Sequence, residues 1–199
     1  LRKTNFNLHS LNKNSDKEKM IKAVATCYLL EQITVDLTGN DEQFLNIYSR
    51  FNGDCPKMAS EIEKIFNQKL EEDRNGKFKN INDIFFEDKR KGIDNSRFKI
   101  YISQLLADNS FKPEMLEEIK TLKTIRKNIS SVITTNYDNL VEQVFQFDPL
   151  VGNNILLSNP YGAVYKIHGS IENPSSIIIT AGDYRNFDTK YELIRAQLL

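Results

Sequence analysis

A short apolar run near residue 130 constrains the fold of this 199-residue chain more than any other feature. Residues 129–135 read Ile-Ser-Ser-Val-Ile-Thr-Thr, which is rich in β-branched residues and too short for a helix. Such a run is typical of a strand that is buried in a parallel sheet. Two later runs, residues 163–168 and 176–180, have the same character, so the sequence predicts an α/β sheet.

The chain before this point is predicted to be mainly helical, because apolar residues recur there at helical spacing. A capping-box pattern at Ser15 and Glu18 begins the first helix, after a polar tail of residues 1–14. We interpret residues 84–86, Ile-Phe-Phe, as a short apolar anchor outside the helices. The predicted helical stripes cover residues 21–29, 44–51, 58–70, 98–105, 115–125 and 140–145.

The length of the chain favours one domain, since roughly 100–200 residues suffice for a substantial core. We divide this domain into a mainly helical part, residues 1–128, and a strand-rich part, residues 129–199. The first residue is not Met, and residues 196–199 end within an apolar pattern. We therefore expect the chain to be a fragment of a longer protein.

Charge and cysteine content narrow the possible functions. The 27 basic and 27 acidic side chains cancel, so no overall positive field favours nucleic acid or an anionic membrane. Cys27, Cys55, His9 and His168 lack the spacing of a zinc site, so we expect no metal and interpret the thiols as ordinary half-buried residues. No apolar run approaches the ~20 residues that span a bilayer, and residues 1–5 have no apolar signal core behind their charges, so we expect a cytoplasmic protein.

Polar clusters directly follow two of the predicted strands. Residues 134–138 read Thr-Thr-Asn-Tyr-Asp, and residues 168–170 read His-Gly-Ser. Ligands of open α/β sheets bind at the carboxyl ends of the strands, so the two clusters are expected to share one pocket. The amide of Asn136 can both donate and accept hydrogen bonds, and the imidazole of His168 can act as a base. In a purely structural interpretation, Asn136 or Asp138 instead caps the next helix.

In order and spacing, these blocks resemble a known family. Residues 133–138, residues 165–170 and residues 178–184 are similar to the SIR2-like NAD⁺ hydrolases of bacterial antiphage defence systems. Residues 44–125 resemble the helical insertion of that family in character only. The resemblance implies an α/β fold, with a Rossmann-like parallel sheet and a large helical insertion, here as an incomplete SIR2-like domain.

The resemblance also implies a role for each residue of the two clusters. Asn136 and His168 would be catalytic: Asn136 would hold the nicotinamide ribose and the attacking water, and His168 would be the base. Asp138 would shape the nicotinamide pocket. The other residues that would bind NAD⁺ are Thr134, Thr135, Tyr137, Gly169 and Ser170. The resemblance implies NAD⁺ as the substrate, without a metal. Nicotinamide is cationic while it is bonded to the ribose and leaves as a neutral molecule, so one base suffices.

One part of the family pattern is missing from this chain. SIR2-like domains begin with a Gly-rich G-A-G-x-S turn that binds the pyrophosphate at a helix N-terminus. The glycines before residue 129 are isolated, at Gly39, Gly53, Gly76 and Gly92. Either the turn lies outside a cut fragment, which we favour, or the domain has degenerated. Sirtuin-type deacylases usually carry a four-cysteine zinc module, which the two cysteines of this chain cannot supply. We therefore keep protein deacylation only as an alternative to NAD⁺ hydrolysis.

The sequence thus predicts an NAD⁺ glycohydrolase that forms a homo-oligomer and acts as an abortive-infection effector, triggered by a phage or by a partner protein. A non-catalytic NAD⁺ or ADP-ribose sensor is the main alternative, and turnover that depends on His168 separates the two. A helical interaction domain is a third possibility, which exposed apolar faces around Phe44 and Met58 would favour. We interpret the basic residues at 120, 123, 126 and 127 as a solvated helix face.

Overall fold

The computed structural model describes residues 14–107, 110–157 and 161–190. The chain divides into two compact units, Leu1–Met58 and Ala59–Leu199. The predicted tail and the far C-terminus lie outside the described residues, and the predicted division near residue 129 stays a prediction. None of the described helices is long and apolar enough to cross a membrane.

The first unit is helical, as its apolar periodicity predicts. It contains α1 (Asn14–Thr38), α2 (Glu42–Phe51) and the start of α3 (Cys55–Glu72). The side chains of the predicted capping box at the start of α1 lie outside the described residues. Phe44, Ile47 and Met58 are buried and Leu45 is exposed, so most of the apolar surface that would favour a helical interaction domain is covered.

The second unit begins with α3 and continues through helices whose aromatic side chains form a core. The helices are α4 (Lys79–Arg90), α5 (Arg97–Ala107) and α6 (Leu116–Ile125). Phe66 contacts the rings of Phe78, Phe98 and Tyr101, at centroid distances of 5.1 to 6.1 Å. These ring contacts connect α3 with α5, and they explain why the apolar positions of both helices are buried.

Helix α4 corrects the prediction of a short apolar anchor at residues 84–86. The polar residues Asn80, Asn82 and Asp83 interrupt the helical spacing of the apolar residues, so the sequence pattern alone did not indicate a helix. In the structure Ile81 and Phe85, four residues apart, are buried on the same face of the helix. Tertiary packing of that face therefore stabilises a helix that the pattern missed.

Three short strands form a parallel sheet, which confirms the predicted α/β class. They are β1 (Ser131–Thr134), β2 (Asp148–Val151) and β3 (Ala163–Lys166), in the order β1-β3-β2. In the register Val164 lies opposite both Val132 and Pro149. The sequence analysis missed β2 because Pro149 reads as a strand breaker, but β2 is the outer strand on its side of β3, where proline is tolerated.

Two small apolar clusters lie against the central strand, which is buried along its whole length. One cluster joins Val164 to Phe145 and Phe147, together with Ile119 of α6. The other joins Ala163 and Tyr165 to Ile155.

The helix α7 (Leu140–Phe145) follows β1, and Arg126 donates hydrogen bonds to the carbonyl groups of residues 145 and 146 at its C-terminus. Arg126 thus has a capping role in addition to its place on the basic helix face.

The predicted strand at residues 176–180 is wrong, although its apolar residues are buried as expected. The segment begins in a 3₁₀ turn, Pro174–Ser176, and has no strand partner among the described residues. Its N–H groups bond elsewhere: that of Ile178 donates to the carbonyl of His168, and that of Thr180 donates to the carboxylate of Asp183. The segment therefore leads directly into α8 (Ala181–Lys190).

Candidate functional site

The two predicted polar clusters lie at the same edge of the sheet. Thr134 and Lys166 end the paired parts of β1 and β3, and the N–H group of Ile167 donates to the carbonyl of Thr134 at 3.1 Å. Both clusters follow from this point, because parallel neighbouring strands end together. The structure thus brings the 134–138 and 168–170 segments to one edge, and the pocket that they are predicted to share stays a prediction.

Asn136 lies in the loop that follows β1, between residues whose backbone is held by hydrogen bonds. Its side chain is exposed, and its N–H group donates to Oγ1 of Thr134 at 3.0 Å. The next residue, Tyr137, donates from its hydroxyl to the carbonyl of Ile178 at 2.7 Å, and burial raises the pKa of this phenol. Its carbonyl accepts from the N–H of Ile171 at 3.0 Å. An anchored tyrosine therefore fixes the backbone beside an amide that solvent can reach.

Asp138 has the structural role that the alternative interpretation assigns to it. Its Oδ1 atom accepts a hydrogen bond from the N–H of Leu140 at 3.0 Å, at the start of α7. Thr135, which directly follows the last residue of β1, is half-buried, like Asp138. One oxygen of the carboxylate is thus used by the helix, and the predicted contact of Asp138 with nicotinamide stays a prediction.

His168 is enclosed by aromatic side chains of α8. Its ring lies edge-on to that of Tyr184, at a centroid distance of 5.5 Å, and to that of Phe187, at 5.6 Å. Only 7% of the residue is exposed. The position of the imidazole therefore depends on α8 as well as on β3.

Gly169 and Ser170 form a tight turn against residues 176 and 177. Gly169 has a φ of +93°, and an added Cβ would lie 2.2 Å from the carbonyl oxygen of Ser176. The N–H group of Ser170 donates to Oγ of Ser176 at 3.0 Å, and Ser170 is buried. Close backbone packing by itself requires a glycine here, and the predicted contacts of both residues with NAD⁺ stay predictions.

Lys166, the last residue of β3, is a buried lysine that was not predicted as part of the site. The Lys166 side chain is fully buried, and its ammonium group contacts Oε1 of Glu142 at 2.7 Å and Oδ1 of Asn139 at 3.3 Å. It also donates to the carbonyl of Asp138. The other carboxylate oxygen of Glu142, Oε2, is buried without a hydrogen-bond partner among the described residues. Lys166 therefore contacts three residues, at positions 138, 139 and 142, of the segment that follows Asn136.

The start of α8 is held by a second ion pair. Asp183 caps the helix reciprocally with Thr180, at 3.0 and 3.1 Å, and its Oδ1 atom lies 2.6 Å from Nζ of Lys99 in α5. Burial by itself would raise the pKa of Asp183, but the hydrogen bond and charge of Lys99 and the bonds with Thr180 outweigh it. The pKa of this carboxyl is therefore lowered.

The Asp183→Asn variant is expected to have a free energy of unfolding that is about 2 kcal/mol lower than that of the wild type at neutral pH, because its amide cannot compensate the Lys99 charge. Since folding lowers the pKa of Asp183, its contribution exists above the unfolded pKa of about 3.9 and disappears as the pH falls through the folded value. Urea unfolding between about pH 7 and about pH 3 should show the two proteins converging in acid. A difference that is independent of pH would contradict this assignment.

Two cavities are lined by residues that support the site, and the lining of neither includes Asn136 or His168. One has a volume of about 10 Å³, enough for a single water, and its lining includes Gly169, Ile178 and Phe187. The other is an open polar cleft of about 330 Å³ with Lys99 and Asp183 on its wall. Among the described residues, no group of three or more His, Cys, Asp or Glu side chains could hold a metal ion.

Comparison with known proteins agrees with the predicted resemblance. Residues 130–199 match the model of the SIR2-like domain family. The NAD(+) hydrolase ThsA of Enterococcus faecium is 34% identical over 107 residues, which cover 49% of this chain and 22% of that relative. The match therefore spans less than a quarter of the relative's length. No solved structure matches the chain.

Proposed function

We propose that this chain contributes the catalytic centre of an NAD⁺ glycohydrolase, because residues 130–199 match the model of the SIR2-like domain family. The observation that carries the proposal is the placement of Asn136 and His168 after two adjacent parallel strands, at one edge of the sheet. The similarity to an NAD(+) hydrolase supports the choice of NAD⁺ as the substrate.

The proposed reaction breaks the bond between ribose C1′ and the nicotinamide nitrogen, and forms a bond between C1′ and a water oxygen. Nicotinamide leaves as a neutral molecule, so its departure needs no acid. The water loses one proton, which the His168 imidazole accepts, and the products are nicotinamide, ADP-ribose and a proton. The amide of Asn136 would orient the ribose and the water, because it can donate and accept at the same time.

The remaining residues of the two clusters would form the walls of the site. Tyr137 and Asp138 would flank the nicotinamide ring, with Thr134 and Thr135 along the ribose or phosphate path. Gly169 and Ser170 would contribute backbone beside the ribose. Asn136 is exposed and His168 is buried, so NAD⁺ is expected to approach from the Asn136 side.

The biological setting is proposed from the family resemblance. The SIR2-like NAD⁺ hydrolases that the chain resembles are found in antiphage defence systems, so the protein is proposed to be a cytoplasmic antiphage effector. It would act as a homo-oligomer that a phage component or a partner protein triggers.

A non-catalytic NAD⁺ or ADP-ribose sensor is the second candidate. The enclosure of His168 by Tyr184 and Phe187 favours it, since a base must reach a water molecule beside the substrate. The two candidates differ in turnover and not in binding.

Variants of the two central residues test the proposal. His168→Ala is expected to lower kcat by about 10² to 10⁴-fold, the usual contribution of a general base, while NAD⁺ binding changes little. Asn136→Ala is expected to lower kcat to a similar degree and to weaken binding of the ribose. His9→Ala and Asn80→Ala, which remove the chain's other histidine and an exposed asparagine of α4, are the matched controls. Equal turnover in all four variants would refute the assignment.

A further inference from the structure

The two cysteines of the chain are in direct contact, although 27 residues separate them in sequence. Cys27 lies in α1 and Cys55 is the first residue of α3, and their Sγ atoms are 3.1 Å apart. Both residues belong to the first compact unit. Their separation in sequence gave no sign of this contact, and the prediction of two ordinary half-buried thiols missed it.

The two thiols have different surroundings. Cys27 is partly exposed, whereas Cys55 is 8% exposed, with the carbonyl groups of Ala23 and Gly53 each 3.6 Å from its sulfur. The hydrogen bond between the thiols lowers the pKa of Cys27, against the opposing effects of burial and of Glu31. The same contact, together with burial, raises the pKa of Cys55. Cys27 is therefore the thiol that ionises first and that a small reagent can reach.

We propose that Cys27 and Cys55 form a redox modification site at which a peroxide converts the two thiols reversibly into a disulfide. The Cys27 thiolate attacks one oxygen of hydrogen peroxide, which breaks the O–O bond and yields a sulfenic acid and hydroxide. Cys55 then attacks the Cys27 sulfur, and water leaves. In total, two thiols and one peroxide give one disulfide and two waters, so the cysteines lose the two electrons that the peroxide gains.

The geometry requires little movement for the second step. A disulfide bond is about 2.05 Å long, so the sulfurs must approach by about 1 Å from their 3.1 Å separation. The bond would tie α1 to the first turn of α3 and close a loop that contains α2. This inference concerns the first unit alone and does not depend on the proposed NAD⁺ chemistry.

Alkylation and mass spectrometry of the full chain test the proposal. The protein is treated with hydrogen peroxide, quenched with N-ethylmaleimide in denaturant so that the buried Cys55 also reacts, and weighed intact. Because the chain has two cysteines, untreated protein should carry two adducts and oxidised monomer none. Dithiothreitol given before the quench should restore both adducts. In the Cys55→Ser variant, dimedone should trap a sulfenic acid at Cys27, whereas Cys27→Ser should give no dimedone adduct under the same conditions.

Three outcomes would overturn the proposal. The oxidised protein could retain two reactive thiols, or it could form disulfides between chains, visible as dimers on a non-reducing gel. The dimedone adduct could also form in Cys27→Ser and not in Cys55→Ser, which would reverse the assigned roles. Circular dichroism of both serine variants verifies that they fold, so that a negative result is a chemical one.

Discussion

The Lys166→Met variant is expected to lose about 3–5 kcal/mol of its free energy of unfolding, the usual result of removing one partner from a buried ion pair. Methionine keeps most of the length and packing of the lysine side chain. It leaves the Glu142 carboxylate without its countercharge, and it also removes the donor to Asn139 and to the carbonyl of Asp138. Urea unfolding of the variant and the wild type measures the loss.

Two further variants separate the buried pair from lysine removal in general. Lys120 is 70% exposed in its pair with Glu117, so Lys120→Met is expected to cost less than about 1 kcal/mol. The double variant Lys166→Met, Glu142→Met removes both charges and should recover a large part of the loss, because no uncompensated charge stays buried. A Lys166→Met protein as stable as Lys120→Met would contradict the buried pair.

The Gly169→Ala variant is expected to lose about 3–5 kcal/mol, among the larger effects of a single substitution. The added methyl group would lie 2.2 Å from the carbonyl oxygen of Ser176, and the next nearest atoms also belong to the backbone. The backbone at Gly169 has a φ of +93°, which an alanine adopts only with strain. The loss is measured by the same urea titration.

Gly39→Ala is the matched control for this substitution. Gly39 also has a positive φ, +85°, but an added Cβ would have no atom within 4 Å. The control should therefore show only the conformational cost, about 1 kcal/mol. Similar losses at both positions would mean that the turn at Gly169 relaxes, and that its close contact with Ser176 does not fix the residues beside His168.

The apolar strands and their polar ends could be predicted from the sequence because they depend on local patterns. The run at residues 129–135 contains β1, and the run at residues 163–168 contains β3. The segment at residues 176–180 has an equally strong β pattern, yet its N–H groups bond to His168 and Asp183. Burial was therefore predicted correctly there, and strand pairing was not, since pairing depends on which acceptors the fold brings near.

The contacts that hold the candidate site in place could not be predicted from local sequence patterns. Lys166 stands within an apolar run, a signal that a charged side chain has a buried partner, but the sequence does not say which carboxylate pairs with it. Lys99 and Asp183 are 84 residues apart, and the cysteine contact likewise joins distant segments. Such contacts follow from the packing of whole helices, which no spacing rule describes.

The central claim is that Asn136 and His168 form the centre of an NAD⁺ glycohydrolase. The most direct test is to incubate the longest native form of the protein with NAD⁺ and to follow nicotinamide release by chromatography, in the wild type, Asn136→Ala and His168→Ala. We expect release by the wild type that both substitutions abolish. An intact protein that binds NAD⁺ or ADP-ribose without releasing nicotinamide would contradict the enzyme assignment and leave a binding module.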